Sequence, residues 1–201
     1  MSRIRVSSGL PALAGVRLLG ITGAPGAGKS TLAAALVAAH GGVVVPMDGF
    51  HYPQAELVDR RLRDVMGAPE TFDTEGYAAL LARIRTGTDG VRAPAFDRTI
   101  EEPVADAIEV PADGLVVTEG NYLVLDEPRW RAVRDQLDEV WHVHVAEPLR
   151  LERLLARHVE FGKTPDEARA WVERVDQPNA LLVEAAASRA DRVLDLTHWE
   201  A

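Results

Sequence analysis

Gly23-Ala-Pro-Gly-Ala-Gly-Lys29-Ser30 matches the spacing G-x-x-x-x-G-K-[ST]. The chemistry that needs this spacing is polyphosphate binding. Gly23, Ala24, Pro25 and Gly26 form a turn whose backbone N–H groups can point inward, because glycine carries no Cβ to prevent it. Ala27, Gly28, Lys29, Ser30 and Thr31 enter a helix whose N-terminus adds the positive end of its dipole. Lys29 offers a point charge to the β- and γ-phosphates, and Ser30 a hydroxyl to Mg2+. The motif implies ATP or GTP binding without naming a reaction. The guanine-reading N-K-x-D tetrapeptide and the Ser-Gly-Gly signature of transport ATPases are both absent from the chain.

Two acids stand at strand ends, where open α/β sheets bind ligands. Asp48 follows the β-branched run Val43-Val-Val-Pro-Met. A kinase acting on an alcohol needs such a carboxylate to accept the hydroxyl proton; a turn cap is the competing reading on spacing alone. Phe50 and Tyr52 can wall a substrate pocket beside it. Glu119 ends Leu115-Val-Val-Thr and stands where a Mg2+-holding acid belongs, unless it simply faces solvent. Arg150, Arg153 and Arg157 follow at helical spacing, fit either for phosphate oxygens or for a solvated basic stripe. Lys163 stands at a hinge beyond them. His142 and His144 share one strand face, but no third metal ligand is evident. Trp130, Trp141, Trp171 and Trp199 read as packing residues.

The elements that must carry these groups follow from pattern. Short apolar runs at 16–22, 43–47, 114–119, 140–145 and 192–196 read as buried strands. Helical stretches are expected at 29–40, 74–85, 128–137, 148–158 and 179–189. Thr164-Pro-Asp-Glu167 is a capping box, so a helix starts there. Residues 86–113, rich in Gly, Pro and charge, read mostly as loop. Apolar strands alternating with helices predict an α/β fold with a parallel sheet covered on both faces. The strand before Asp48 is expected to lie next to the strand that enters the phosphate loop.

Composition bounds the rest. A length of 201 residues predicts one domain, 1–201, with a lid at about 153–178. Zero cysteines exclude a disulfide framework and a thiol nucleophile. The net charge of −9 argues against a nucleic-acid partner. The longest apolar run, Leu32–Ala39, is too short to span a bilayer. A cytoplasmic protein with a small-molecule substrate is expected, with room for a homodimer.

Gly23–Thr31, Met47-Asp-Gly-Phe-His-Tyr52, Pro94-Ala-Phe-Asp-Arg98, Glu119-Gly-Asn-Tyr122 and Ser188-Arg-Ala-Asp191 together resemble the phosphoribulokinase/uridine kinase/bacterial pantothenate kinase family. The likeness is strongest to its fructose-transport-system kinase-like branch, and it runs from residue 16 to about 196. The resemblance implies a P-loop fold with a five-stranded parallel core. It implies Asp48 as catalytic base, Glu119 as the acid near Mg2+, and Phe96 and Asp97 in the acceptor pocket. It also implies an arginine-bearing lid with Arg153 and Arg157. His51, Arg98 and Tyr122 join Phe50, Tyr52, Phe96 and Asp97 in the substrate set. Gly49 stands where uridine kinases carry Ser or Asp, as in pantothenate kinases, whose long N-terminal extension is missing.

The function expected is an ATP- and Mg2+-dependent kinase phosphorylating a hydroxyl of a sugar, nucleoside or pantothenate-like alcohol. The alternative is a nucleotide-sensing or chaperone-type P-loop module acting on a protein partner, which would need no acid like Asp48. A phosphate-bearing acceptor is a third reading, kept open by Arg60, Arg61, Arg63 and Arg98.

Overall fold

The structure, a computed structural model, describes residues 3–6 and 9–199. The strands are β1 (Arg3–Arg5), β2 (Leu18–Gly23), β3 (Val43–Pro46), β4 (Val91–Asp97), β5 (Glu102–Val110), β6 (Val116–Gly120), β7 (Glu139–His144) and β8 (Arg192–Asp195). The α-helices are α1 (Lys29–His40), α2 (Gln54–Asp59), α3 (Thr74–Arg85), α4 (Pro128–Arg134), α5 (Glu147–Glu160), α6 (Pro165–Trp171) and α7 (Gln177–Ala186). Six strands form one parallel sheet in the order β1-β8-β7-β2-β6-β3. Two apolar layers cover it. Leu19 and Ile21 point toward Leu32 and Leu36 of α1. Leu18 faces the opposite layer, with Tyr77 and Leu81 of α3 and Trp130 of α4.

Three expectations need correction. The sheet has six strands rather than five, because Arg3–Arg5 pairs in parallel with β8. A three-residue strand at an edge carries too little apolar pattern to be read from sequence. Next, β3 does not adjoin β2: the crossover through α1 skips one position, which β6 later fills. Glu119 therefore sits between Ile21 and Pro46 in register, and Asp48 stands one strand farther from the phosphate loop than expected. Finally, residues 86–113 contain the antiparallel hairpin β4–β5. Its pattern is hidden because β5 is largely exposed and Pro94 interrupts β4 where the register shifts between Ala93 and Ala95.

Local signals set the helix ends. The Asp73 carboxylate accepts from the Gly76 N–H at 2.9 Å, and Thr164 and Glu167 complete the capping box of α6. Between α6 and α7 the chain widens into a π-helical turn, Val172–Asp176.

Gly49 earns its place through a close approach. A Cβ there would lie 2.5 Å from the Pro94 carbonyl oxygen of β4. The bare backbone lets the hairpin pack directly on the turn that carries Asp48. Gly49→Ser should cost about 1–3 kcal/mol of stability, as overpacked cores do. Urea unfolding of the two proteins checks this; equal midpoints would show that the hairpin yields freely.

Candidate active site

The parallel strands end on one side of the sheet, and β2, β6 and β3 deliver their loops there in that order. Past β2, the Lys29 ammonium donates to the carbonyls of Gly23 (3.0 Å) and Ala24 (3.2 Å) and to Asn121 Oδ1 (2.7 Å). Asn121 is itself held, its carbonyl accepting from the Thr22 hydroxyl at 2.8 Å. Burial pulls the Lys29 pKa down to about 8, while the Glu119 carboxylate opposes the fall. The lysine is thus folded over the loop, partly stripped of water, its three donors met only by neutral oxygens.

Past β6, the Ser30 hydroxyl donates to Glu119 Oε1 at 2.8 Å. Burial raises the Glu119 carboxyl above its ordinary range, and Lys29 partly offsets this. Past β3, Asp48 pairs with the Arg98 guanidinium at 2.6 Å. Burial alone would raise Asp48, but Arg98, His51 and Lys29 together hold it below the usual carboxylate range. It is ionised at neutral pH, as a proton acceptor must be.

Two cavities open over these loops. The smaller, about 190 Å3, lies over Asp48, His51, Phe96, Arg98 and Glu119. The larger, about 500 Å3, runs along Gly26–Thr31 under Arg153, Leu196 and Trp199. Lys29, Ser30 and Arg157 line both, so the cavities meet at those three side chains. Burial, then the neighbouring Arg98, pushes the Arg157 pKa down: two guanidinium groups face a common space.

The arginine stripe divides by depth. Arg150 is buried, donating to the Pro25 carbonyl at 3.3 Å and to Gln177 Oε1 at 2.5 Å, so it ties the phosphate loop to α7. Arg153 is exposed near Gly28, and Arg157 reaches the junction.

Of the substrate set, His51, Phe96 and Arg98 line the smaller cavity. Phe50 instead stacks on Tyr77 at 4.4 Å in the core. Tyr52 lies under the Arg60 guanidinium at 4.3 Å. Asp97 accepts from the Thr99 N–H at 2.8 Å within the hairpin turn. Tyr122 is buried, its hydroxyl donating to the Gly67 carbonyl. Arg60 pairs with Glu56 and Arg63 with Glu101, so of the arginines kept for a phosphate-bearing acceptor only Arg98 reaches the cavity. His142 and His144 both face Glu184, and no group of three or more His, Cys, Asp or Glu side chains placed to hold a metal occurs among the described residues.

His158, Asp176 and Asn179, which the sequence did not mark for the site, also line the smaller cavity, as does Trp171. His158 Nε2 meets Asp176 Oδ2 at 2.7 Å across the π turn. Trp171 and Trp199 do more than pack, since each lines a cavity. Asn121 lay inside the Glu119–Tyr122 motif; the need of a buried lysine for acceptors is the signal that would have found it.

Fold and cavity pair define the chain as a P-loop kinase, a small-molecule phosphotransferase. Relatives named as kinases agree, alongside one of uncharacterized function, YggC. The Schizosaccharomyces pombe protein named "Putative uridine kinase C227.14" is 36% identical over 193 residues, 88% of this chain and 82% of that one. YggC of Escherichia coli is 36% identical over 154 residues, 76% of this chain, and the alignment spans 63% of YggC. A crystal structure from Silicibacter sp. TM1040, described as a "putative fructose transport system kinase", is 37% identical with a TM-score of 0.80, covering 92% of this chain and 91% of that one. No protein-family model matches the chain. The chain belongs to the phosphoribulokinase/uridine kinase family of P-loop kinases. No helix among the described residues is long and apolar enough to cross a membrane.

Proposed function

We propose that the protein transfers the γ-phosphoryl group of ATP, with Mg2+, to a hydroxyl of a small metabolite of the sugar, nucleoside or pantothenate-like kind. The observation that carries this reading is the meeting of two cavities at Lys29, Ser30 and Arg157, with phosphate-loop amides on one side and an ionised Asp48 on the other.

The nucleotide's phosphates replace the carbonyls that now hold Lys29, and the backbone N–H groups of Gly26–Ser30 receive their oxygens. Ser30 and Glu119 present two hard oxygens 2.8 Å apart. That suits Mg2+, which binds through one or two protein oxygens plus phosphates and keeps several waters. Bound there, the ion would neutralise phosphate charge. Asp48 accepts the hydroxyl proton and lines the oxygen up with phosphorus, and the buried His51 Nδ1, unpartnered among the described residues, offers the acceptor a further polar contact. Arg157 closes over the transferring group, and the lid, proposed at about 153–178, excludes the water that would otherwise hydrolyse ATP.

The test is acceptor-dependent ADP release over a screen of sugars, nucleosides and pantothenate-like alcohols, with Lys29→Ala as the inactive control. At least one alcohol should raise ADP release above the no-acceptor background in the native chain and in no case for the control. ATP hydrolysis indifferent to every alcohol would favour the sensing-module reading.

A further inference from the structure

The charges lining the smaller cavity do not pair off evenly. Each carboxylate there already has a partner. Asp48 has Arg98 at 2.6 Å, Glu101 has Arg63 at 3.2 Å, and Asp176 has His158 at 2.7 Å. Glu119 has the Ser30 hydroxyl at 2.8 Å and belongs to the metal side. Three cations lining the same cavity, Lys29, Arg157 and Lys163, make no ion pair among the described residues, and Lys29 is held by the Gly23 and Ala24 carbonyls and Asn121 in the phosphate loop. Arg157 also lines the nucleotide cavity, so the transferring phosphoryl group answers its charge. Lys163 lines only the acceptor side, its ammonium 5.0 Å from the centroid of the Trp171 ring.

Arg98 adds a second uncommitted charge once the reaction begins. Asp48 holds Arg98 through Oδ2 alone, and once either oxygen has taken a hydroxyl proton the carboxyl is neutral and Arg98 has lost its anion. A half-exposed guanidinium can turn to water, but its planar donor fork fits a carboxylate or phosphate best, so an oxyanion entering the cavity is its natural replacement partner. A neutral alcohol supplies no replacement, whereas an acidic one does.

We propose that the acceptor is an acidic alcohol, a small hydroxyl compound whose own oxyanion is received by Arg98 and Lys163 while its hydroxyl faces Asp48. This rests on the kinase reading above and names the class of its substrate. In the transfer, the acceptor oxygen bonds to the γ-phosphorus of ATP. The bond from that phosphorus to the bridging oxygen breaks, its electron pair leaves with ADP, and the hydroxyl proton passes to Asp48. Arg98 keeps an ion pair by exchanging the Asp48 carboxylate for the oxyanion. Lys163 brings the lid down onto the same group, so closure answers to the acceptor's charge.

The experiment uses the full chain, ATP, Mg2+ and matched alcohols. Short polyols are compared with the aldonic acid and the terminal phosphate ester of each, and pantothenol with pantothenate. Initial rates of ADP release above background give kcat/KM for every member. At least one acid, of the carboxylate or the phosphate series, should exceed its neutral partner by roughly tenfold or more, and the two series tell which oxyanion fits. Arg98→Met and Lys163→Met should each erase most of that ratio, chiefly through KM, and Arg98→Lys should restore part of it. Circular dichroism confirms that the variants fold, and Lys163→Met, on an exposed segment, carries the test if Arg98→Met does not. Neutral alcohols turned over as well as or better than their acids overturn the inference and leave the kinase reading standing. A ratio untouched by either substitution also overturns it. ADP release with no alcohol of any series overturns both.

Discussion

Asp48→Asn should lower acceptor-dependent turnover ~10²–10⁴-fold, or about 3–5 kcal/mol of barrier, and leave the affinity for a non-hydrolysable ATP analogue close to native. The substitution keeps the shape of the side chain and removes the base. The nucleotide contacts proposed above lie elsewhere: Lys29 and the loop amides belong to the loop between β2 and α1, two strand positions from the turn that carries Asp48. Arg98 loses an ion pair in the variant, but its side chain is 45% exposed and finds water. Calorimetry with the analogue, run beside ADP release, separates the outcomes. If binding collapses together with turnover, Asp48 is a structural or metal residue. If turnover survives, the proposed mechanism is wrong.

Arg157→Ala should cost more in rate, ~10³–10⁵-fold, the range of an arginine that stabilises a transferring phosphoryl group. Its effect should fall on kcat rather than on ATP affinity, because the charge it answers develops in the transition state. Arg153→Ala is the natural companion. Arg153 lines only the larger cavity, proposed for the nucleotide, near Gly28, so its loss should appear in ATP affinity and much less in turnover. Steady-state kinetics on both variants decides the matter. Native behaviour in both would make the outer face of α5 a solvated basic stripe.

The phosphate loop was legible because its requirements are local: glycines, a lysine and a hydroxyl at fixed spacing between a strand and a helix. Helix α3 was equally plain, since Tyr77, Leu80, Leu81 and Ile84 recur at helical period behind an Asp cap. The order of strands was not, because a crossover helix sets handedness and leaves open how many positions it skips. The acceptor wall was harder still. Aromatic residues near Asp48 looked alike on paper, yet Phe96 reached the cavity while Phe50 turned into the core and Tyr52 met Arg60. Which face of a short irregular turn points inward is a matter of tertiary packing. His158 and Asp176 are separated by 18 residues and meet only because α5 and the π turn fold together.

The π turn at Val172–Asp176 also bears on how this chain can change over time. A π turn holds one more residue than an α turn would need, and each residue advances an α-helix by about 100°. The wide turn takes up that extra residue, so deleting one there would let it close to α geometry and leave the helix beyond it in nearly the same phase. A deletion in the regular turns of α6 or the start of α7 has no such slack and would swing the residues beyond it by that angle, Asn179 off the cavity among them. The length of 164–179 is therefore free to change by one residue at the wide turn and nowhere else. Across descendants of this protein, a gain or loss of one residue in this stretch should fall at 172–176.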